Sequence, residues 1–258
     1  MGQLANLKQA LRARRRSKNP AVRSVIDVIA TVYRTGLFVV SGQHRSVVLL
    51  KLFNRQAVHQ TSPETWMDRY PKIFSTCRAY FGGRKELKIL SYGCSTGEEV
   101  LTLRNYFPSA IIIGAEINRR SLAICRKLKV DERIAFVHSD PAILAQRGPF
   151  DAIFCMAVLQ RTPHAIIERG ITDLKHIYPF EKFDWQVGKL DELLARDGLL
   201  IIRHTQYLFR DAAVAWKYDP LDTTAHEVDF DPKFDRNSER LGEGAGAASG
   251  WIFVKIRA

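Results

Sequence analysis

Long apolar runs are missing from this 258-residue sequence. No stretch of about 18 uncharged apolar residues occurs, so a helix that crosses a bilayer is not expected. The best approach to one, Val25 to Val40, is interrupted by Asp27 and Arg34. The start has no apolar h-region of a secretory signal, and Asn6 stands where N-myristoylation calls for Ser or Thr. Cysteine is scarce as well. Cys77, Cys94, Cys125 and Cys155 are scattered, with no C-x-x-C pair. That spacing suits reduced thiols in a cytoplasmic protein, and no metal site is expected. Acid is almost absent from one region. Residues 1–60 hold eleven Lys and Arg against Asp27 alone, whereas 61–258 hold 28 basic and 26 acidic groups. The net charge of +12 is therefore concentrated in the N-terminal segment. Such a segment attracts an anionic membrane surface or nucleic acid, and its Arg-rich, acid-poor start also has transit-peptide composition. Ala10–Lys18 has none of the interleaved aromatics that stack on RNA bases, so a location peripheral to a membrane stands beside the nucleic-acid reading.

What is present divides at about residue 83. Residues 1–83 form a basic helical segment. In 22–33, Val22, Val25, Ile26, Ile29, Val32 and Tyr33 recur at the spacing of one helical face, with Arg23, Asp27 and Arg34 opposite. Residues 61–81 repeat the pattern from Trp66 to Tyr80, with Ser62 as cap, Pro63 in the first turn and Pro71 as a break or kink. Gly82-Gly83 ends it. From 84 to 258 short apolar runs alternate with helical patterns. The runs are Lys88–Tyr92, Ile111–Glu116, Ile134–His138, Phe150–Cys155 and Leu199–His204. The helical patterns fall at 98–106, 118–129, 163–177 and 180–195, the last stopped by Asp197-Gly198. This order predicts an α/β fold, a Rossmann-like, mostly parallel sheet covered by helices. A strand around 212–218, a flexible polar loop over 219–250 and a final strand Trp251–Ile256 complete the expectation.

The chemistry centres on Tyr92-Gly93-Cys94-Ser95-Thr96-Gly97-Glu98-Glu99. A strand ends at Tyr92, a turn of small residues follows, and a helix begins near Glu98. Such a turn admits a ligand close to the backbone and presents free N–H groups at a helix start. About 20 residues on, the next strand ends in Gly114-Ala115-Glu116, where a carboxylate grips ribose hydroxyls in nucleotide-type sites. Ser95 occupies the second glycine position of the dinucleotide motif, and Glu98 and Glu99 would repel phosphates, which disfavours a dinucleotide. Gly93-Cys94-Ser95-Thr96-Gly97 also matches the nucleophile elbow of α/β-hydrolases, with Ser95 as nucleophile and Asp197 and His204 as partners. That elbow follows several strands in a hydrolase, whereas everything upstream here reads as helix.

The same stretch resembles the first motif of the class I S-adenosylmethionine-dependent methyltransferases, and Cys94 to Glu99 is most similar to the chemotaxis-receptor glutamate methyltransferases. Phe150–Leu159 resembles that family's fourth motif, Leu190–His204 its late helix-then-strand motif, and Trp251–Ile256 its antiparallel last strand. The resemblance implies S-adenosyl-L-methionine as cofactor, held around Tyr92, Gly93, Cys94, Ser95, Gly97, Glu98, Glu116 and Ile117. It puts Asp140 beside the adenine and Met156 and Ala157 at the methyl-acceptor edge. The cofactor carries a sulfonium and an ammonium and no phosphate, so acids beside the turn become favourable.

The acceptor is read by elimination. Cys155-Met156-Ala157-Val158 is not the Asp/Asn-Pro-Pro-Tyr of nucleobase-amine enzymes, and Cys155 lacks the neighbouring proline of cytosine-C5 enzymes. An O-methyltransferase or a less typical N-methyltransferase remains, and the preferred acceptor is an oxygen, a hydroxyl or a carboxylate. A hydroxyl needs a base, for which His164 and His204 are candidates with His164 preferred, and a carboxylate could be held by Arg161. An RNA methyltransferase using the basic segment and a non-catalytic cofactor-binding or scaffold protein are the competing readings.

Overall fold

The computed structural model describes residues 20–53, 57–60, 64–221, 232–242, 244–245 and 250–257. Ser62, Pro63, the basic run 8–18 and most of the glycine-rich stretch 242–250 lie outside them. The chain divides into two compact units, one up to residue 55 and one from residue 56.

The smaller unit contributes two helices, α1 (Pro20–Val40) and α2 (Gly42–Phe53). The Arg45 guanidinium donates to the carbonyls of Phe38 and Val39, satisfying groups that the end of α1 leaves open. Segments Ser24–Val40 and His44–Leu50 are bent by 102° at this junction. Among the described residues no single helix is long and apolar enough to cross a membrane.

The larger unit is a seven-stranded sheet. Its helices and strands in chain order are α3 (Pro71–Phe81), β1 (Lys88–Tyr92), α4 (Glu98–Tyr106), β2 (Ile111–Glu116), α5 (Arg119–Cys125), β3 (Ile134–His138), α6 (Pro141–Arg147), β4 (Phe150–Met156), α7 (Pro163–Arg169), α8 (Phe180–Leu193), β5 (Leu194–Arg203), β6 (Tyr218–Pro220) and β7 (Ile252–Lys255). The strand order is β3-β2-β1-β4-β5-β7-β6. β1 to β5 run parallel, and β7 is antiparallel to both β5 and β6. The strands read as near-continuous apolar runs because both faces are covered. On one face Leu90, Ile153 and Leu200 pack with Phe183, Val187 and Leu190 of α8. On the other, Ile89, Phe154 and Ile201 pack with Ile73, Phe74 and Cys77 of α3 and with Val100 and Leu103 of α4. Thus α3, expected in the N-terminal segment, lies in the larger unit because its apolar face completes the sheet's cover.

Several local expectations are corrected. Pro71 starts a helix instead of breaking one: it occupies the first turn of α3, where its missing N–H costs nothing, and 64–70 is not helical. The helix expected over 163–177 stops at Arg169. Gly170 closes it with φ +58°, and the following turn is diverted by Leu174 N–H donating to the Ser238 carbonyl. Asp197-Gly198 does not end α8: β5 already begins at Leu194, which pairs with Phe150, and Asp197 is an irregularity within the strand. The expected strand 212–218 is two short 3-10 turns leading into β6. Part of the supposedly flexible 219–250 is fixed, since Lys233 and Phe234 are buried and the Lys233 ammonium donates to the Thr205 carbonyl.

Candidate active site at the topological switch point

Strand order reverses between β1 and β4, which leaves a crevice beyond their carboxyl ends, the place where open α/β sheets bind ligands. The glycine turn sits there. Gly93 and Cys94 N–H groups both donate to the Ala115 carbonyl, at 2.8 and 3.1 Å, which ties the turn to the end of β2. Gly93, Ser95 and Gly97 all have positive φ, at +79°, +53° and +103°. Space is as restrictive as conformation: a Cβ on Gly97 would come within 2.6 Å of Leu128 Cδ1. The turn then opens directly into α4, whose first residues are Glu98 and Glu99.

Glu116 is the electrostatic hub. Its carboxylate accepts from Ser95 N–H at 2.9 Å and from Asn118 N–H at 2.7 Å, so it bridges the two loops that frame the crevice. Burial raises its pKa above the ordinary carboxylate value, with the backbone donors opposing. Glu99 accepts from the Ser91 hydroxyl at 2.7 Å, and burial lifts it to about 7. Glu98 accepts from the Thr96 hydroxyl. The site thus holds two acids, Glu99 and Glu116, that burial makes costly to ionise, an arrangement that favours a bound cation.

The other cofactor candidates flank this centre. Ile117 follows Glu116 directly. Asp140 accepts from Ala142 and Ile143 N–H and so caps α6, while its position just past β3 keeps it at the ligand edge. Tyr92 ends β1, and burial pushes its phenol pKa well up. Tyr92, Ser139 and Pro141 border a groove of about 400 Å³ that continues between α6 and α8 past Leu144, Trp185 and Gln186. Met156 ends β4 and is almost fully buried, and Ala157 turns the chain with φ +58°. Cys94 is buried, with the neighbouring Cys125 thiol and burial holding it protonated; Cys155 is held so by burial.

The acceptor candidates part company. His164 is exposed in the first turn of α7. Arg161 is committed to structure: its guanidinium donates to the carbonyls of Val58 and His59, and its backbone is clamped by Gln206 in two reciprocal bonds of 2.8 and 2.9 Å. His204 follows β5 with φ +55° and packs against Tyr70. Asp197 and His204 do not form a hydrolase pair: Asp197 lies within β5 and His204 just past its end, about 23 Å away at about 3.3 Å per residue. No local motif in the sequence signals His59. It is buried, with Nδ1 at 2.6 Å from the Tyr178 hydroxyl and Nε2 at 3.3 Å from Gln186 Oε1. Burial, reinforced by Lys182 and Arg161, lowers its pKa to about 3, so it is a neutral structural partner and no base.

Residues 89–177 match the family model of a methyltransferase domain. A 114-residue stretch is 31% identical to an uncharacterized protein of Synechococcus, over 42% of this chain and 27% of that protein, so the chain spans about a quarter of the relative's length. Among solved structures, the S-adenosylmethionine-bound amino pentose methyltransferase of Micromonospora echinaspora is 18% identical over 62% of this chain and 57% of that one, with TM-score 0.39. A putative caffeoyl-CoA O-methyltransferase of Staphylococcus aureus is 15% identical over 67% and 72%, with TM-score 0.38. The family match begins within β1 and runs through the glycine turn, Glu116 and the end of β4, on a sheet whose order puts them around one crevice. The stretch 89–177 is thus similar to a methyltransferase domain and is set on a Rossmann-like sheet.

Proposed function

We propose that this domain transfers the methyl group to an oxygen acceptor, a hydroxyl or a carboxylate, that approaches over the ends of β4 and β5. The observation that carries the reading is the character of the edge after β4. Met156, Ala157 and Val158 offer no acid or amide to anchor an amine, while His164, exposed in the first turn of α7, is a proton acceptor in reach of solvent-borne substrate. S-adenosylmethionine supplies an electrophilic methyl on a sulfonium. The residues of this chain hold it and exclude water: the 93–97 turn approaches it, Glu116 and Ile117 face its ribose side, Asp140 its adenine side, and Met156 and Ala157 bound the reacting edge. In-line transfer then depends mainly on alignment. Arg161 acts through the backbone it braces and positions the post-β4 segment.

Labelled methyl transfer from S-adenosylmethionine into fractionated cell extract tests this. An ester product releases methanol in mild alkali and an ether does not, so the two oxygen acceptors are separated in one assay. For a hydroxyl acceptor, His164→Ala lowers turnover about a hundredfold while S-adenosylhomocysteine binding is kept. Label recovered on nitrogen overturns the oxygen reading.

A further inference from the structure

Among the described residues, helix α1 presents an apolar face that is exposed along most of its length. Val25, Val28, Ile29, Val32 and Val39 are between 44% and 67% exposed, and Val40 reaches 80%. At 100° per residue they fall on one side of the helix, joined by Gly36, whereas the exposed Asp27 falls on the opposite side. The stripe runs the length of a 21-residue helix, about 30 Å. Beyond the bend, Leu49 and Leu52 of α2 are exposed as well. Scattered exposed apolar residues need no explanation, but a continuous Val/Ile stripe on one helix marks a contact surface.

We propose that α1 and α2 dock the protein on the surface of a bilayer that carries anionic phospholipids. Charge selects this occupant. The first acid in the chain is Asp27, and seven Lys and Arg precede it, from Lys8 to Arg23. A cationic segment leading straight into an amphipathic helix has the two attractions that hold an interfacial helix: apolar side chains inserted at the headgroup boundary and basic groups drawn to anionic lipid. A second copy of the chain would bring the same positive segment against itself. The geometry favours lying on the membrane over crossing it. No single described helix is long and apolar enough to span, and the pair that would suffice in composition is bent by 102°. The inference is independent of the acceptor: it concerns where the enzyme works.

Sedimentation of the full chain with vesicles tests it. Vesicles of phosphatidylcholine with about one third phosphatidylserine are expected to bind at least about tenfold more tightly than phosphatidylcholine alone, and added salt should weaken that binding. Val28→Glu/Val32→Glu should reduce it at least about tenfold with helical circular dichroism unchanged. If that variant loses helix, Val25→Ser/Ile29→Ser is the milder test of the same face. Several results overturn the proposal: no preference for anionic vesicles, binding by a folded variant equal to that of the wild type, or a wild-type dimer that the variant dissolves without vesicle binding. An RNA oligomer bound equally by wild type and variant, with vesicles ignored, also overturns it.

Discussion

Two carboxylates on either side of β1 do the same local job and differ in everything else. Asp151, near the start of β4, accepts from Lys88 N–H at the start of β1 and pairs with the half-exposed Arg84. Glu116, at the end of β2, also accepts backbone N–H groups, from Ser95 and Asn118, but it is buried and its pKa is raised. At the amino edge of the sheet a carboxylate fixes strand register in the company of a cation. At the carboxyl edge one is held away from water, where a ligand can complete it. A ligand site is the place where such a cost is repaid on binding. The contrast is broken most sharply by Glu116→Ala. Loss of two charge-assisted bonds and of the proposed ribose contact should weaken S-adenosylhomocysteine about a hundredfold by calorimetry. Asp151→Ala should leave that binding within about twofold.

Stability separates the two ends in the other direction. Gly114, in the strand that ends at Glu116, leaves no room: a Cβ there meets Phe136 Cδ1 at 2.7 Å and Val100 Cγ2 at 2.9 Å. Gly114→Ala should cost about 2 kcal/mol in urea unfolding, because two core side chains must shift to admit one methyl. Asp151→Ala frees Lys88 N–H and Arg84 at a partly hydrated edge, and about 1–2 kcal/mol is expected. A Gly114→Ala variant as stable as the wild type would mean that the end of β2 repacks more freely than its contacts imply.

The parallel strands were legible because each is buried on both faces, so a short apolar run had one interpretation. Helix α4 was legible for a different reason: Gly97 and the two acids after it mark a start. The ring of Gly93, Ser95, Gly97 and Glu116 followed from those two signals and the 20-residue spacing. Long-range pairing hid the rest. Nothing local in 163–177 announces that Leu174 will bond to Ser238, and nothing in 232–241 announces that Phe234 will be buried. The use of Arg161 depended on His59, roughly a hundred residues away. Periodicity has a further limit. α1 and α8 carry similar apolar spacing, yet Phe183, Val187 and Leu190 of α8 are buried while Val25, Val28 and Val32 of α1 are exposed. A hydrophobic face in sequence states that a helix needs a partner; it does not state which one.

The smallest effect concerns a third acid, and it sharpens what the carboxyl edge is for. Glu99 is lifted from 4.5 to about 7 by burial, with the Ser91 hydroxyl opposing. Below about pH 4.5 it is protonated in both folded and unfolded chains and contributes nothing to pH dependence. Between about 4.5 and 7 the unfolded chain releases the proton and the folded one retains it, so stability falls as pH rises. Above about 7 the penalty is complete and constant. Glu99→Gln removes the ionisation while keeping an acceptor for Ser91, so it should match the wild type near pH 4. At pH 8 it should exceed the wild type by on the order of 1 kcal/mol, read as a higher melting temperature. Bound S-adenosylmethionine should narrow that gap, because its positive charge favours the ionised Glu99 that burial penalises. S-adenosylhomocysteine, without the sulfonium, should narrow it less. Equal narrowing by the two ligands would place Glu99 outside the field of the sulfonium and leave Glu116 as the acid that the cofactor completes.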